Sequence, residues 1–179
     1  MQERLVEVID ARTVSDRVRK LAEEVAAAYH GEPVTAVCVL KGAFLFFADL
    51  VRHLRLPVQV DFLRLSSYQD GTSPQTRPLI TKDLDMDVCG AHVLLVDDIA
   101  DTGRSLEFLK RELEKRQPKS MRICVFINKQ ERREVDLDVD FSGFDLEKGF
   151  LVGYGLDYAE RHRSLDALYE LVLEEDAQA

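Results

Sequence analysis

Three short runs of almost entirely apolar, β-branched residues constrain the fold of this chain more than any other feature. Runs of this length without polar alternation are typical of strands buried on both faces of a parallel sheet. The alternation of apolar residues in 58–65 predicts a further strand, and FLVGYG at 150–155 is predicted to be the last one. The three runs are VTAVCVL (34–40), HVLLV (92–96) and MRICVFI (121–127).

A helical pattern precedes each of these three runs. Apolar residues recur at helical spacing in 14–29, where Thr13 is the predicted N-cap, and again in 43–54 and 104–116. Strands that alternate with helices predict an α/β fold with a mainly parallel sheet. A chain of 179 residues is long enough to bury one real core, and we predict a single domain.

Composition narrows the classes of partner. The formal net charge of −9 disfavours binding to nucleic acid or to an anionic membrane. No apolar run approaches the roughly 20 residues of a membrane span, and the first ten residues have no signal-peptide core. Cys38 and Cys124 lie in apolar runs and are expected to be buried free thiols, so the expected location is cytoplasmic.

The segment VLLVDDIADTGRSL (93–106) is the most informative part of the chain. A hydrophobic strand leads through an acidic pair and a short turn into a helix, and ligands of parallel sheets bind beyond such strand ends. The helix N-terminus offers unpaired N–H groups to a phosphate, and Gly103 permits close backbone approach. Thr102 and Ser105 can add hydroxyl donors. The sequence therefore predicts a phosphate site here.

Three carboxylates stand beside this predicted phosphate site, at Asp97, Asp98 and Asp101. They would repel a bare phosphate, but a ribose diol or a magnesium ion would be a suitable partner. One alternative is that Asp98 or Asp101 only caps the following helix. That alternative does not account for three carboxylates within five residues.

DDIADTGRS resembles the phosphoribosyl-pyrophosphate motif of the type I phosphoribosyltransferases, with Asp97 where the family often has Glu. Four further segments resemble the hypoxanthine (guanine) branch and follow in the same order. They are VLKGAFLFFADL (39–50), DFLRLSSY (61–68), FINKQERR (126–133) and GFLVGYGLDYAERHR (149–163).

The resemblance implies a type I phosphoribosyltransferase fold: a mainly parallel central sheet flanked by helices, with a small hood and a flexible loop. It divides the single domain 1–179 into a core of about 34–135 and a hood from about 1–12 and 136–170. It also implies a purine salvage enzyme that moves the 5-phosphoribosyl group from phosphoribosyl pyrophosphate to hypoxanthine, and to guanine. The products are the nucleoside 5′-monophosphate and pyrophosphate, and the family forms dimers or tetramers.

The same resemblance implies roles for individual residues of the donor site. Asp97 and Asp98 hold the ribose hydroxyls, while Asp101 takes the proton from purine N7 as C1′ is attacked. Lys41 and Arg163 contact the pyrophosphate, and Lys41-Gly42 in the family is often associated with a cis peptide. The implied donor site comprises Lys41, Gly42, Asp97, Asp98, Asp101, Thr102, Gly103, Arg104, Ser105 and Arg163.

For the base, the resemblance implies that Lys129 donates to the 6-oxo group, Phe150 stacks on the purine and Leu151 offers its backbone. Asp157 is the implied Mg²⁺ ligand, with Asp97 and Asp98 as possible further ligands. Without the resemblance, Lys129 reads as an exposed charge, Phe150 equally well as a core aromatic, and Lys41 as part of a strand-ending turn.

The polar, Gly- and Pro-rich segment from Tyr68 to Pro78 predicts an exposed loop, and in the family Ser67 and Tyr68 lead a mobile flap. Alternatives remain: a phosphoribosyltransferase for xanthine or a pyrimidine, a regulator that binds RNA through the sugar-phosphate site, or a structural protein. The net charge of −9 argues against the RNA-binding alternative.

Overall fold

The computed structural model describes residues 2–68 and 77–174, in which nine strands and three helices are defined. The strands are β1 (Gln2–Ile9), β2 (Val34–Leu40), β3 (Val58–Tyr68), β4 (Arg77–Lys82), β5 (His92–Ala100), β6 (Ser120–Asn128), β7 (Phe141–Asp145), β8 (Leu151–Val152) and β9 (Leu168–Glu174). The helices are α1 (Ala11–Ala28), α2 (Phe44–His53) and α3 (Arg104–Glu114).

A six-stranded sheet in the order β4-β3-β2-β5-β6-β7 forms the centre of the fold. All neighbouring strands in it are parallel except β3 and β4. This arrangement confirms the predicted α/β class with a mainly parallel sheet. The three apolar runs are the central strands β2, β5 and β6, and β2 has the predicted bounds.

The central strands are buried on both faces because their alternate side chains enter two different cores. On β5, Leu94 and Val96 pack in the core that contains α1 and α2, whereas Val93 and Leu95 pack in the core of α3. Strand side chains point alternately to opposite faces, so both sets must be apolar. This is the physical reason why HVLLV has no polar alternation.

Helix α1 begins earlier than predicted, and its N-cap is Asp10 rather than Thr13. The Asp10 carboxylate accepts hydrogen bonds from the Thr13 N–H at 2.9 Å and from the Thr13 hydroxyl at 2.7 Å. Thr13 therefore lies inside the first turn and supports the cap. A carboxylate that satisfies an N-terminal N–H group stabilises the start of a helix.

A second sheet, in the order β1-β9-β8, joins the two ends of the described chain. The prediction that 150–155 is the last strand is wrong: β8 contains only Leu151 and Val152, and β9 follows it. The chain bends at Gly153, where Gly153 and Leu156 form an isolated bridge, so the apolar run cannot continue as a strand.

The predicted loop from Tyr68 to Pro78 is shorter in the structure. Tyr68 ends β3, and Arg77 and Pro78 begin β4, which pairs antiparallel with β3. Residues 69–76, on which most of the loop prediction falls, lie outside the described residues. Of the helices in the described ranges, none is long and apolar enough to cross a membrane.

Candidate active site

The carboxyl ends of three parallel strands meet at one edge of the central sheet and bring the predicted site residues together. In the register of β5 and β6, Ala100 pairs with Asn128, so the segments after these strands leave the sheet side by side. The backbone N–H of Lys129 donates to the carbonyl of Ala100 at 2.9 Å. Strand β2 ends next to β5, and Lys41 follows it.

Asp97 and Asp98 are the last polar residues of β5 before this edge. The Asp97 carboxylate accepts a hydrogen bond from the Asp98 N–H at 2.9 Å, and the Asp98 carboxylate accepts one from the Ile99 N–H at 2.8 Å. Burial raises the pKa of both carboxyl groups, and for Asp97 the nearby charge of Asp98 raises it further. The pair therefore favours a partner that supplies hydrogen-bond donors or positive charge.

A cavity of about 260 Å³ lies where β5 passes into α3. Gly103 adopts a left-handed conformation with φ of 81° and is the N-cap of α3, without a side-chain cap. The alternative that Asp98 or Asp101 caps this helix is therefore wrong. The free end of the helix dipole and its N–H groups face a pocket suited to an anion. Its walls are formed by Asp97, Asp98, Ile99, Ala100, Asp101, Thr102, Gly103, Ser105 and Leu106.

Asp101 stands between this cavity and a larger one. Its Oδ2 atom lies 3.1 Å from Nη1 of Arg132, while its Oδ1 atom is buried and has no hydrogen-bond partner among the described residues. A buried carboxylate oxygen without a partner is costly unless a ligand completes it. The Oδ1 atom is therefore available to an N–H group of a bound molecule.

The larger cavity, of about 560 Å³, is lined by Lys129, Phe150 and Leu151 together with Asp101. Nζ of Lys129 donates to the carbonyl of Gly149 at 2.5 Å, so Lys129 is not a free solvated charge. Phe150 is 53% exposed, which excludes the core-aromatic alternative, and its ring meets the Tyr158 ring edge-on at 5.6 Å. An aromatic face, a cationic donor and a free carboxylate oxygen thus surround one space.

Gly42 follows Lys41 at the end of β2, where the backbone passes very close to Asp98. A Cβ atom at position 42 would lie 1.5 Å from Oδ2 of Asp98, so any larger residue here would require the Asp98 side chain to move. The Leu40–Lys41 peptide bond is cis. Lys41 does lie in a turn that ends β2, but its Nζ atom pairs with the carboxylate of Glu160 at 2.8 Å, so it is not a free solvated charge.

Arg163 approaches the same place from the segment after β8. Its Nη1 atom donates to the carbonyl of Gly155 at 2.8 Å, and Nη2 lies 2.7 Å from Oδ1 of Asp157 and 3.2 Å from Oε2 of Glu160. Its Nε atom is buried and has no hydrogen-bond partner in the part of the chain that the structure describes. The hydrogen bond from Lys41, and then that from Arg163, lowers the pKa of Glu160.

Sequence reasoning missed three residues of this site. Arg132 holds Asp101, Glu160 joins Lys41 to Arg163, and Arg133 connects the two loops that follow β5 and β6. Arg133 donates to the carbonyls of Ala100, Asp101, Lys129 and Leu137 and to Oδ1 of Asn128, at 2.7–3.3 Å. All three stand in charged segments, and no local pattern distinguishes them from solvated charges.

The predicted site residues on β5, α3, β2 and the segments after β6 and β8 therefore converge on one cleft. Arg104 does not line the phosphate cavity, and its Nη2 atom pairs with the carboxylate of Glu134 at 2.5 Å. The side chains of Ser67 and Tyr68 lie outside the described part of the chain, so their predicted role stays a prediction.

Residues 7–159 match the family described as phosphoribosyl transferase domain. Hypoxanthine phosphoribosyltransferase of Haemophilus influenzae is 42% identical over 171 residues, which cover 94% of this chain and 96% of that relative. Hypoxanthine-guanine phosphoribosyltransferase of Aquifex aeolicus is 46% identical over 157 residues, 87% of this chain and 88% of that one. A crystal structure of a hypoxanthine-guanine phosphoribosyltransferase from Bacillus anthracis superimposes with a TM-score of 0.89 at 35% identity and covers 96% of this chain and 100% of that one.

Proposed function

Since the chain belongs to the phosphoribosyltransferase family, in its hypoxanthine and hypoxanthine-guanine branch, we propose that it transfers the 5-phosphoribosyl group from phosphoribosyl pyrophosphate to hypoxanthine and to guanine. The reaction yields the nucleoside 5′-monophosphate and pyrophosphate, which is a purine salvage step. The relatives' names support this choice of bases over xanthine or a pyrimidine.

The observation that carries the proposal is the arrangement of Asp101 and Lys129 around the larger cavity. Within residues 2–68 and 77–174, Oδ1 of Asp101 has no hydrogen-bond partner, and Nζ of Lys129 already donates to a carbonyl oxygen. A 6-oxopurine offers both an N–H group at N7 and a carbonyl at C6. It can therefore satisfy the Asp101 oxygen and replace the Gly149 carbonyl as the acceptor for Lys129.

In the proposed reaction, N9 of the base forms a bond to C1′ while the bond from C1′ to the pyrophosphate oxygen breaks. Asp101 accepts the N7 proton, and help of this kind accelerates a reaction roughly 10²–10⁴-fold. Asp97 and Asp98 accept hydrogen bonds from the ribose hydroxyls. The N-terminus of α3, with Thr102 and Ser105, binds the 5′-phosphate, and the exposed face of Phe150 stacks on the purine.

The donor set fits Mg²⁺ as a metal that is shared with a substrate. Among the described residues no group of three or more ligating side chains is gathered, but Mg²⁺ typically takes one or two carboxylates and completes its shell with phosphate oxygens and water. Asp157 lines the larger cavity beside Asp98 and would be the ligand, with Asp97 and Asp98 as further candidates. When bound, the ion would offset the charge of the pyrophosphate group.

Other expectations belong to the same proposal. Residues from about 1–12 and 136–170 act as a hood over a core of about 34–135, and Ser67 and Tyr68 lead a flap that shields the reaction centre from water. The enzyme works in the cytoplasm as a homodimer or homotetramer. Light scattering measures the oligomeric state. A Tyr68→Ala variant with unchanged kcat and no added donor hydrolysis would contradict the flap.

Pyrophosphate release tests the proposal directly. The protein is mixed with phosphoribosyl pyrophosphate, Mg²⁺ and one base at a time: hypoxanthine, guanine, xanthine, adenine or a pyrimidine. Release with hypoxanthine or guanine is the expected result, and exhaustive chelation should abolish it. Release with xanthine or a pyrimidine alone would reassign the substrate, and no release with any base would favour the RNA-binding regulator.

A further inference from the structure

Glu160 bridges two cations that approach the cleft from opposite sides. Its Oε1 atom lies 2.8 Å from Nζ of Lys41, and its Oε2 atom lies 3.2 Å from Nη2 of Arg163. The glutamate is anchored from behind, because its N–H group donates to Oδ2 of Asp157 at 2.8 Å. The carboxylate therefore offers one oxygen to each cation and holds the two together.

The two cations differ in how far they can move away from this carboxylate. The side chain of Arg163 is 19% exposed and is also bound to the Gly155 carbonyl and, at 2.7 Å, to Oδ1 of Asp157, whereas that of Lys41 is 47% exposed and that of Glu160 is 65% exposed. Exposed ion pairs are weak and exchange readily with other charged partners. A ligand with two anionic groups can therefore take over both cations without a rearrangement of the backbone.

We propose that Glu160 is an internal competitor of pyrophosphate, which holds Lys41 and Arg163 when the site is free and releases them to the pyrophosphate group of the donor. The inference rests on the proposed function, in which these two cations contact pyrophosphate. Pyrophosphate carries anionic oxygens on two phosphorus atoms, so it reproduces the two-point acceptor that Glu160 presents. After transfer, Glu160 binds the two cations again and thereby assists departure of pyrophosphate.

The role makes Glu160 a positioning residue that acts through Lys41 and Arg163, and it predicts a gain of affinity on mutation. Glu160→Gln keeps the side-chain length and the backbone contact with Asp157, but it removes the negative charge. Loss of two exposed ion pairs should tighten binding of inorganic pyrophosphate about three- to tenfold. A residue that only supported the fold would give weaker binding instead.

A matched control exists at the opposite end of the central sheet. Glu32 is also an exposed carboxylate between two basic groups, with Nζ of Lys119 at 2.5 Å and Nε2 of His92 at 2.9 Å. His92 is the first residue of β5, and the cleft lies beyond the carboxyl end of that strand. Glu32→Gln therefore changes the net charge by the same amount as Glu160→Gln does, but outside the site. This variant should bind pyrophosphate as the wild type does.

The experiment is isothermal titration of inorganic pyrophosphate, at fixed Mg²⁺, into the wild type, Glu160→Gln and Glu32→Gln, with steady-state kinetics in parallel. The expected result is tighter pyrophosphate binding and a lower donor KM for Glu160→Gln alone, with the KM for hypoxanthine unchanged. Equal or weaker binding by Glu160→Gln, equal tightening by Glu32→Gln, or no binding by any of the three overturns the inference. Turnover of the wild type decides the proposed function separately, so the two can fail independently.

Discussion

The two halves of the cleft are built in different ways. The donor half, residues 97–106, is one continuous stretch of strand, loop and helix, and the carboxylates of Asp97 and Asp98 in it accept hydrogen bonds from the backbone N–H groups that follow them. The other half consists of Lys41, Lys129 and the segment 149–163, which come from three separate places in the chain. Its charged groups are held by partners distant in sequence, such as Glu160 for Lys41.

Because of this difference, the binding groups of the donor half are free to accept a ligand, whereas those of the other half must first leave a partner within the protein. The phosphate cavity of the donor half has a helix N-terminus without a side-chain cap, so a phosphate finds its N–H groups available. In the base and pyrophosphate half, Lys129 is bound to the Gly149 carbonyl and Arg163 to Asp157. A ligand there has to exchange one partner for another, so binding selects ligands that match the partner displaced.

The largest expected effect concerns Lys129 and tests the exchange in the base half. The wild type should use adenine less efficiently than hypoxanthine by roughly 10⁴-fold, because a site built around a hydrogen-bond donor rejects a 6-amino group. Lys129→Met should lower kcat/KM for hypoxanthine and narrow that ratio, which competition kinetics with both bases would measure. Lys20→Met, on the exposed side of α1, serves as the control. Adenine turnover within about tenfold of hypoxanthine in the wild type would remove Lys129 from this role.

The next effect concerns Asp101, which lies between the two halves. Asp101→Asn keeps the side-chain volume but cannot accept the N7 proton, so kcat should fall roughly 10²–10⁴-fold. Donor affinity, measured by titration, should change little, because the N–H groups of the donor half remain. Asp138→Asn makes the same substitution at an exposed aspartate between β6 and β7, and it should change neither kcat nor donor affinity. A matched loss of donor binding and rate would mean that Asp101 mainly shapes the loop.

A smaller effect is expected where the halves touch, at Gly42. Ala at this position would drive a Cβ atom into Oδ2 of Asp98 at 1.5 Å, and Asp98 must move. Displacement of a substrate-positioning group by this amount can cost about 10²-fold, so kcat/KM for the donor should fall on that scale.

The control for Gly42→Ala is Gly31→Ala. Gly31 has φ of 81°, and apart from its own atoms and its chain neighbours no atom of the described residues lies within 4 Å of the position that a Cβ atom would take there, so Ala strains the backbone without a clash. It should lower the melting temperature slightly and leave the donor KM unchanged. An unchanged donor KM in Gly42→Ala would show that Asp98 can move without consequence.

The donor half could be predicted from sequence, because its chemistry and its geometry are contiguous. The apolar run of β5, the acidic residues and Gly103 follow one another, and the N-terminus of α3 comes directly after. The central strands could be predicted equally well, since burial on both faces gives a strand an uninterrupted apolar sequence that few other structures share. The same contiguity explains why the α/β class was predicted correctly.

The edge strand β4 and the strand β9 of the second sheet could not be predicted from sequence in the same way. Strand β4 contains Pro78 near its start, and proline in a run argues against a strand unless it lies at an edge. β4 is such an edge strand. β9 is the middle strand of the second sheet, but its sequence LYELVLE has no strict alternation of apolar and charged residues that would have predicted a strand. Arg133 and Glu160 were missed because their partners lie on other segments, and only the folded chain brings them together.

The last prediction concerns Arg133, which joins the two halves through their backbones. Its guanidinium group donates to the carbonyls of Ala100 and Asp101 in the donor half and to that of Lys129 in the base half. Lysine at this position keeps the charge but lacks the planar fork, so it can hold one loop and not both. We expect Arg133→Lys to raise both the donor KM and the hypoxanthine KM, with kcat/KM about tenfold lower, since misplaced positioning groups reduce the rate.

Loss of several part-buried hydrogen bonds should also destabilise Arg133→Lys by about 1–3 kcal/mol, measurable by urea denaturation. Arg116→Lys is the control, because Nη2 of Arg116 lies 2.6 and 2.7 Å from the two carboxylate oxygens of Asp83 on the surface. That exposed pair should contribute at most about 1 kcal/mol and affect neither KM. If Arg133→Lys were destabilised while both KM values stayed at wild-type levels, Arg133 would support the fold alone. A rise in only one KM would mean that it positions one half of the cleft and that the two halves are held independently.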